Sequence, residues 1–66
     1  MYRNLRAEMA RNGMSQKDVS QILNISEGSF HNKLNGKTEF TLREAFALKE
    51  TLCANLDIHE LFRWTP

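Results

Sequence analysis

Four times in this 66-residue chain a small polar residue is followed three positions later by a second polar residue, with apolar residues flanking the pair. This is the signature of a helix N-terminus: the first residue accepts an orphan backbone N–H, the second reaches back, and the apolar pair staples the entry. The four starts are Ser15 with Asp18 (staple Met14 and Val19), Ser26 with Ser29 (Ile25 and Phe30), Thr41 with Glu44 (Phe40 and Ala45), and Asp57 with Glu60 (Leu56 and Leu61). Four such starts leave little freedom in the helix boundaries. An N-terminal helix completes an all-α reading of five helices, at about Tyr2 to Arg11, Gln16 to Leu23, Glu27 to Leu34, Leu42 to Cys53, and Ile58 to Phe62 or slightly beyond. Gly13 ends the first, and Asn35-Gly36 ends the third through a left-handed residue.

The 3.6-residue period assigns a core of Leu5 and Met9; Val19, Ile22 and Leu23; Phe30 and Leu34; Leu42, Phe46 and Leu52; and Ile58, Leu61 and Phe62. Hydrophobic residues at 41% and charged ones at 26% suit a folded chain. Residues 1–66 read as one complete domain, too small for a second lobe or a large active-site cleft. Cys53 is the single cysteine, so no internal disulfide can staple the chain, and it is expected in the core near the end of the fourth helix. Neither a signal peptide nor an apolar run of spanning length is present, so the expected location is cytoplasmic, with no membrane partner.

The net charge of +1 is unevenly spread. Residues 1–37 carry six basic groups against three acidic ones, a balance of +3; the remainder carries three against five, a balance of −2. A positive half invites a polyanion, although short surfaces also show such imbalances by chance. Only Asn24, Ile25 and Ser26 separate the second and third helices, which suits the sharp bend of a helix-turn-helix better than an antiparallel hairpin. Asn24 occupies the position where that turn wants a left-handed backbone, and Ile25 plugs the corner.

The run from Gly13 to Ser26 (GMSQKDVSQILNIS), followed by Ser29-Phe30 and Asn35-Gly36-Lys37-Thr38, resembles the lambda-repressor-like (Cro and XRE type) helix-turn-helix domain of phage and bacterial regulators. Phe40 to Phe62 resembles that family's fourth and fifth helices. The resemblance implies a helix-turn-helix at about residues 16–34 whose third helix enters the major groove of double-stranded DNA. It also implies phosphate contacts from Gln16, Lys17, Asn35, Lys37 and Thr38, and base reading or nearby backbone contacts from Ser26, Glu27, Gly28, Ser29 and Asn32. Several family members fasten helix one to the end of the recognition helix with a buried ion pair; the matching positions here are the apolar Met9 and Leu34.

Among these residues Asn32 is the strongest candidate reader, because an amide can both give to and take from adenine N7 and N6. Glu27 either accepts from cytosine N4 or merely favours the positive helix N-terminus. Gly28 permits close approach to DNA or sits where a helix frays at small cost. His31 either contacts phosphate at the groove margin or is solvated, and the solvated state is the expectation. With His59 and Cys53 on other helices, no metal-ligand spacing exists, and neither a catalytic constellation nor a cofactor is expected.

Leu61, Phe62 and Trp64 concentrate apolar bulk at the C-terminus, so a dimerisation segment is expected at about 57–66. Trp64 either extends that interface or folds back to close the core. The function implied is a sequence-specific transcriptional regulator of phage or prophage repressor type. It would act as a homodimer on a palindromic operator, without a small-molecule effector, in a bacterial or phage-infected cell and on the nucleoid when bound. A protein-interaction module, such as an antirepressor or a toxin-binding antitoxin, is the alternative.

Overall fold

A computed structural model of the chain describes residues 1–52 and 55–66. It contains α1 (Arg3–Arg11), α2 (Gln16–Leu23), α3 (Glu27–Leu34), α4 (Leu42–Thr51) and α5 (Ile58–Leu61), with no strand among the described residues. All four anticipated caps are in place. Ser15 and Asp18 form a reciprocal capping box, as do Thr41 and Glu44. Ser26 accepts the Ser29 N–H, and Asp57 accepts that of Glu60. The first helix begins one residue later than expected and has no side-chain cap; the expectation for Cys53 lies outside the described residues.

The core joins Leu5, Met9, Val19, Phe30, Leu34, Leu48, Leu52 and Leu61 in one buried cluster. Met9 and Leu34 contribute apolar packing to this cluster from α1 and the end of α3. Three expected core residues are exposed instead: Ile22 at 45%, Leu42 at 68% and Phe46 at 50%. In α4 the buried stripe is Ala45, Leu48 and Leu52, spaced three and four apart; Leu42 and Phe46 fall on the neighbouring stripe. Leu23, Ile58 and Phe62 are half-buried.

The surface of this core is closed by aromatic side chains. Tyr2 meets Phe40, Phe62 and Trp64 edge-on at centroid distances of 5.6, 6.0 and 4.9 Å, and Phe40 links Phe30 and Phe62 at 6.0 and 5.2 Å. Trp64 folds back to join this cluster while remaining half exposed. Its ring also lies over Gly36, where a Cβ would come within 2.5 Å of it and where the backbone has φ +80°. Glycine is thus required there both by turn conformation and by the ring above it. Met1 and Thr65 exchange backbone hydrogen bonds beside this contact. Side-chain amides complete the fastening: Asn4 donates to the Glu60 carbonyl at 2.8 Å and Asn12 to that of Leu52 at 3.0 Å.

A groove of about 390 Å³ opens between Tyr2, the Glu39–Ala45 segment, Ile58 and Phe62. No residue of α2 or α3 lines it.

The capping boxes should make stability acid-sensitive. The backbone and hydroxyl hydrogen bonds of Ser15, with help from Lys17, hold the Asp18 carboxyl below its ordinary range. Burial pushes Glu44 upward, but the Thr41 amide and Lys33 outweigh it and the net direction is also down. A carboxyl with a folded pKa below its unfolded one stabilises the fold above the unfolded value, and loses that contribution as pH falls through the folded value. Thermal melts from neutral pH down through the carboxylate range are expected to fall more steeply for the native chain than for an Asp18→Asn/Glu44→Gln variant. Parallel curves would remove these groups as the cause. At neutral pH, Thr41→Ala should cost about 1 kcal/mol.

Candidate nucleic-acid interface

The geometry of the candidate face follows from the turn before α3. Asn24 ends α2 in the left-handed region, at φ 58° and ψ 43°, and its N–H reaches the carbonyls of Gln21 and Ser20. Ile25 N–H also returns to the Ser20 carbonyl at 3.0 Å, while the Ser20 hydroxyl, buried with its residue, donates to the Lys17 carbonyl. The chain then turns, and α3 packs through Phe30 and Leu34. Its opposite side is left outward: Glu27, Gly28, Ser29 and His31 are exposed and Asn32 is partly so. Nothing lies within 4 Å of where a Gly28 Cβ would stand, so no packing within the chain demands glycine there.

The remaining candidates surround this helix. Ser26 is committed at its oxygen to the cap but is exposed. Lys17, Lys37 and Thr38 are exposed, and Lys37 N–H is tied to the Asn32 carbonyl at 2.9 Å, which fixes the loop after α3 against the helix. Lys33 is differently employed: its ammonium meets Glu44 at 3.1 Å and the Glu39 carbonyl at 3.1 Å, joining α3 to α4. The C-terminal candidates separate. Leu61 is fully buried, Phe62 is half-buried in the aromatic cluster, and Trp64 covers Gly36.

A line of polar contacts brings Gln16 and Asn35 together through a residue expected to be solvated. His31 Nδ1 faces Gln16 Oε1 at 3.2 Å, and Asn35 Nδ2 faces His31 Nε2 at 3.1 Å. Asn35 Nδ2 also donates to the His31 carbonyl at 2.9 Å, and Arg6 Nη2 donates to Asn35 Oδ1 at 3.1 Å. The Asn35 side-chain amide thus meets Arg6 at its oxygen and His31 at its nitrogen. Arg6 is the member of this line that sequence reasoning did not single out, and the contacts of His31 with Gln16 and Asn35 were not anticipated. The four-residue step from His31 to Asn35 is legible as a helical pair; the approaches of Gln16 and Arg6 come from packing.

No group of three or more potential metal ligands occurs among the described residues, and no helix among them is long and apolar enough to cross a membrane. A short turn that sets one capped helix outward, beside exposed lysines, defines a helix-turn-helix module. The family of Cro/C1-type HTH DNA-binding domains matches residues 4–66, and the chain belongs to it. Comparisons with curated proteins and with solved structures give no match.

Gly28 yields a test with two readouts of opposite sign. In the free protein Gly28→Ala should raise stability by about 0.5–1 kcal/mol, since the helix gains a better former without a clash. If the open space admits the edge of DNA, the same change should lower DNA affinity. Unchanged affinity in a stabilised variant would assign the glycine to helix fraying alone.

Proposed function

We propose that the protein is a sequence-specific double-stranded DNA-binding transcriptional regulator of phage or prophage repressor type, acting by occupying its operator. The observation that carries this reading is the outward side of α3. Gly28, Ser29 and Asn32 stand free of the core there, with Lys17 and Lys37 at the margins. Asn32 reads a base edge through its amide, Ser29 and Glu27 contribute near the helix start, and Ser26 and Gly28 let the backbone come close. Lys17, Lys37, Thr38 and Gln16 hold the phosphates, which position the helix without reading sequence.

Selection of bound sequences from random duplexes is the direct test. An enriched site whose affinity falls steeply with salt supports a DNA reader. No enrichment at low salt, with tight binding to a protein partner, would replace it by an antirepressor or antitoxin role. On an enriched site, Asn32→Ala should cost about 1–3 kcal/mol and relax preference at one position, whereas Lys37→Ala should weaken all duplexes alike and reduce the salt slope by about one. A position-specific effect of Lys37→Ala would reverse the two roles.

The proposed working form is a homodimer on a palindromic operator, since one eight-residue recognition helix covers one half-site. Of the C-terminal segment, Phe62 and the exposed half of Trp64 are available to a second copy, while Leu61 supports them from the core. Phe62 also lines the apolar groove, which Leu42 helps to build, and Phe46 lies one helical turn beyond Leu42. A net charge of only +1 opposes self-association weakly. Phe46→Ser, on an exposed position, should shift the sedimentation mass toward monomer with little change in melting temperature. An unchanged mass in that variant and in Trp64→Ala would remove this surface from the dimer.

A further inference from the structure

Arg6, Asn35, His31 and Gln16 come from α1, the end of α3, α3 itself and the start of α2, and their contacts have a fixed direction. A guanidinium only donates, so the Asn35 amide atom facing Arg6 Nη2 at 3.1 Å is its oxygen. The other end of that amide then points its two hydrogens at the His31 carbonyl and at His31 Nε2, 2.9 and 3.1 Å away. Nε2 must accept, and so carries no proton. A neutral imidazole keeps its one proton on Nδ1, which faces Gln16 Oε1 at 3.2 Å. The carbonyl end of Gln16 is therefore occupied, and its amino group, which can only donate, is left for an anion at the first residue of α2. The helix terminus already favours negative charge there.

We infer that Arg6, Asn35 and His31 form a directional hydrogen-bond relay that presents the Gln16 amide to a DNA phosphate as a donor. His31 and Asn35 are positioning residues and not phosphate contacts themselves. The inference rests on the reading of Gln16 as a phosphate contact. It goes beyond that reading by naming what fixes which end of the amide faces outward. Arg6 is the polarising end because its guanidinium does not lose its proton in proteins.

Nitrogen-15 NMR of the whole chain, above the imidazole titration, should find His31 as the Nδ1–H tautomer; an Nε2–H tautomer would overturn the relay. Asn35→Asp offers Nε2 only acceptors and should move the proton to Nε2, an effect that loss of packing would not produce; an unmoved proton there would also overturn it. Duplex binding at fixed salt then tests the consequence. Gln16→Ala should lose about tenfold, as for one charge-assisted hydrogen bond. His31→Ala, at an exposed position, should lose most of that equally on selected and random duplexes, and the double variant no more than Gln16→Ala alone. If Gln16→Ala costs affinity while His31→Ala costs none, or the two losses multiply, the relay fails and the phosphate contact stands. If Gln16→Ala costs nothing, the phosphate reading fails and takes the proposal with it, whatever tautomer the ring shows.

Discussion

The three-residue turn between α2 and α3 is the constraint from which the rest follows. A non-glycine residue in the left-handed region costs roughly 1–2 kcal/mol, and Asn is among the few side chains that visit it routinely. Asn24 adopts it, and two consecutive N–H groups, its own and that of Ile25, return to the last turn of α2. The helix is stopped and the chain redirected within one residue. Phe30 and Leu34 can then enter the same core as Val19, which leaves Gly28 and Ser29 exposed and Asn32 partly so on the far side of α3. The exposed side of α3 is thus a consequence of where that helix must pack.

The buried cluster, with eight apolar members among the described residues, is small, and the fold supplements it at its edges. Each helix after the first is capped by a side chain, and five of the six aromatic residues form a connected edge-to-face cluster over the core. The sixth, Phe46, stands outside it, half exposed. Trp64 binds the C-terminal segment to the turn that follows α3, because its ring rests where any side chain at position 36 would have to be. Two charged contacts, largely withdrawn from water and so carrying a desolvation cost, tie helices together. Lys33 and Glu44 join α3 to α4, and Arg6 joins α1 to Asn35.

Helix boundaries were legible in the sequence because caps are local: Ser15, Ser26, Thr41 and Asp57 each act within three residues of themselves. The rotation of α4 was harder. Its apolar residues run almost all round the helix, at Leu42, Ala45, Phe46, Ala47 and Leu48, so a periodicity count admits two stripes and the larger side chains favour the wrong one. The discriminating signal is the staple. A residue that packs against the one preceding the cap must face the core, and here the pair is Phe40 and Ala45. Ala45 then places Leu48 and Leu52 inward by steps of three and four, as found, and turns Leu42 and Phe46 outward. A small residue fixed the phase that two large ones obscured.

The candidate site divides along the same line. Outward positions on α3 follow from one helical wheel once Phe30 and Leu34 are inward, so Glu27, Gly28, Ser29 and Asn32 could be placed in advance. The surroundings of Gln16 could not, because they depend on side chains 15 residues away and on a third helix. An isolated glutamine at a helix N-terminus can turn either end of its amide outward, and only one end can donate to a phosphate. The choice is made by a chain of donors and acceptors that starts at Arg6, whose guanidinium leaves no ambiguity, and runs through Asn35 and His31. The orientation of the Gln16 amide is thus set by side chains outside α2, and α1 reaches the start of α2 through polarity alone.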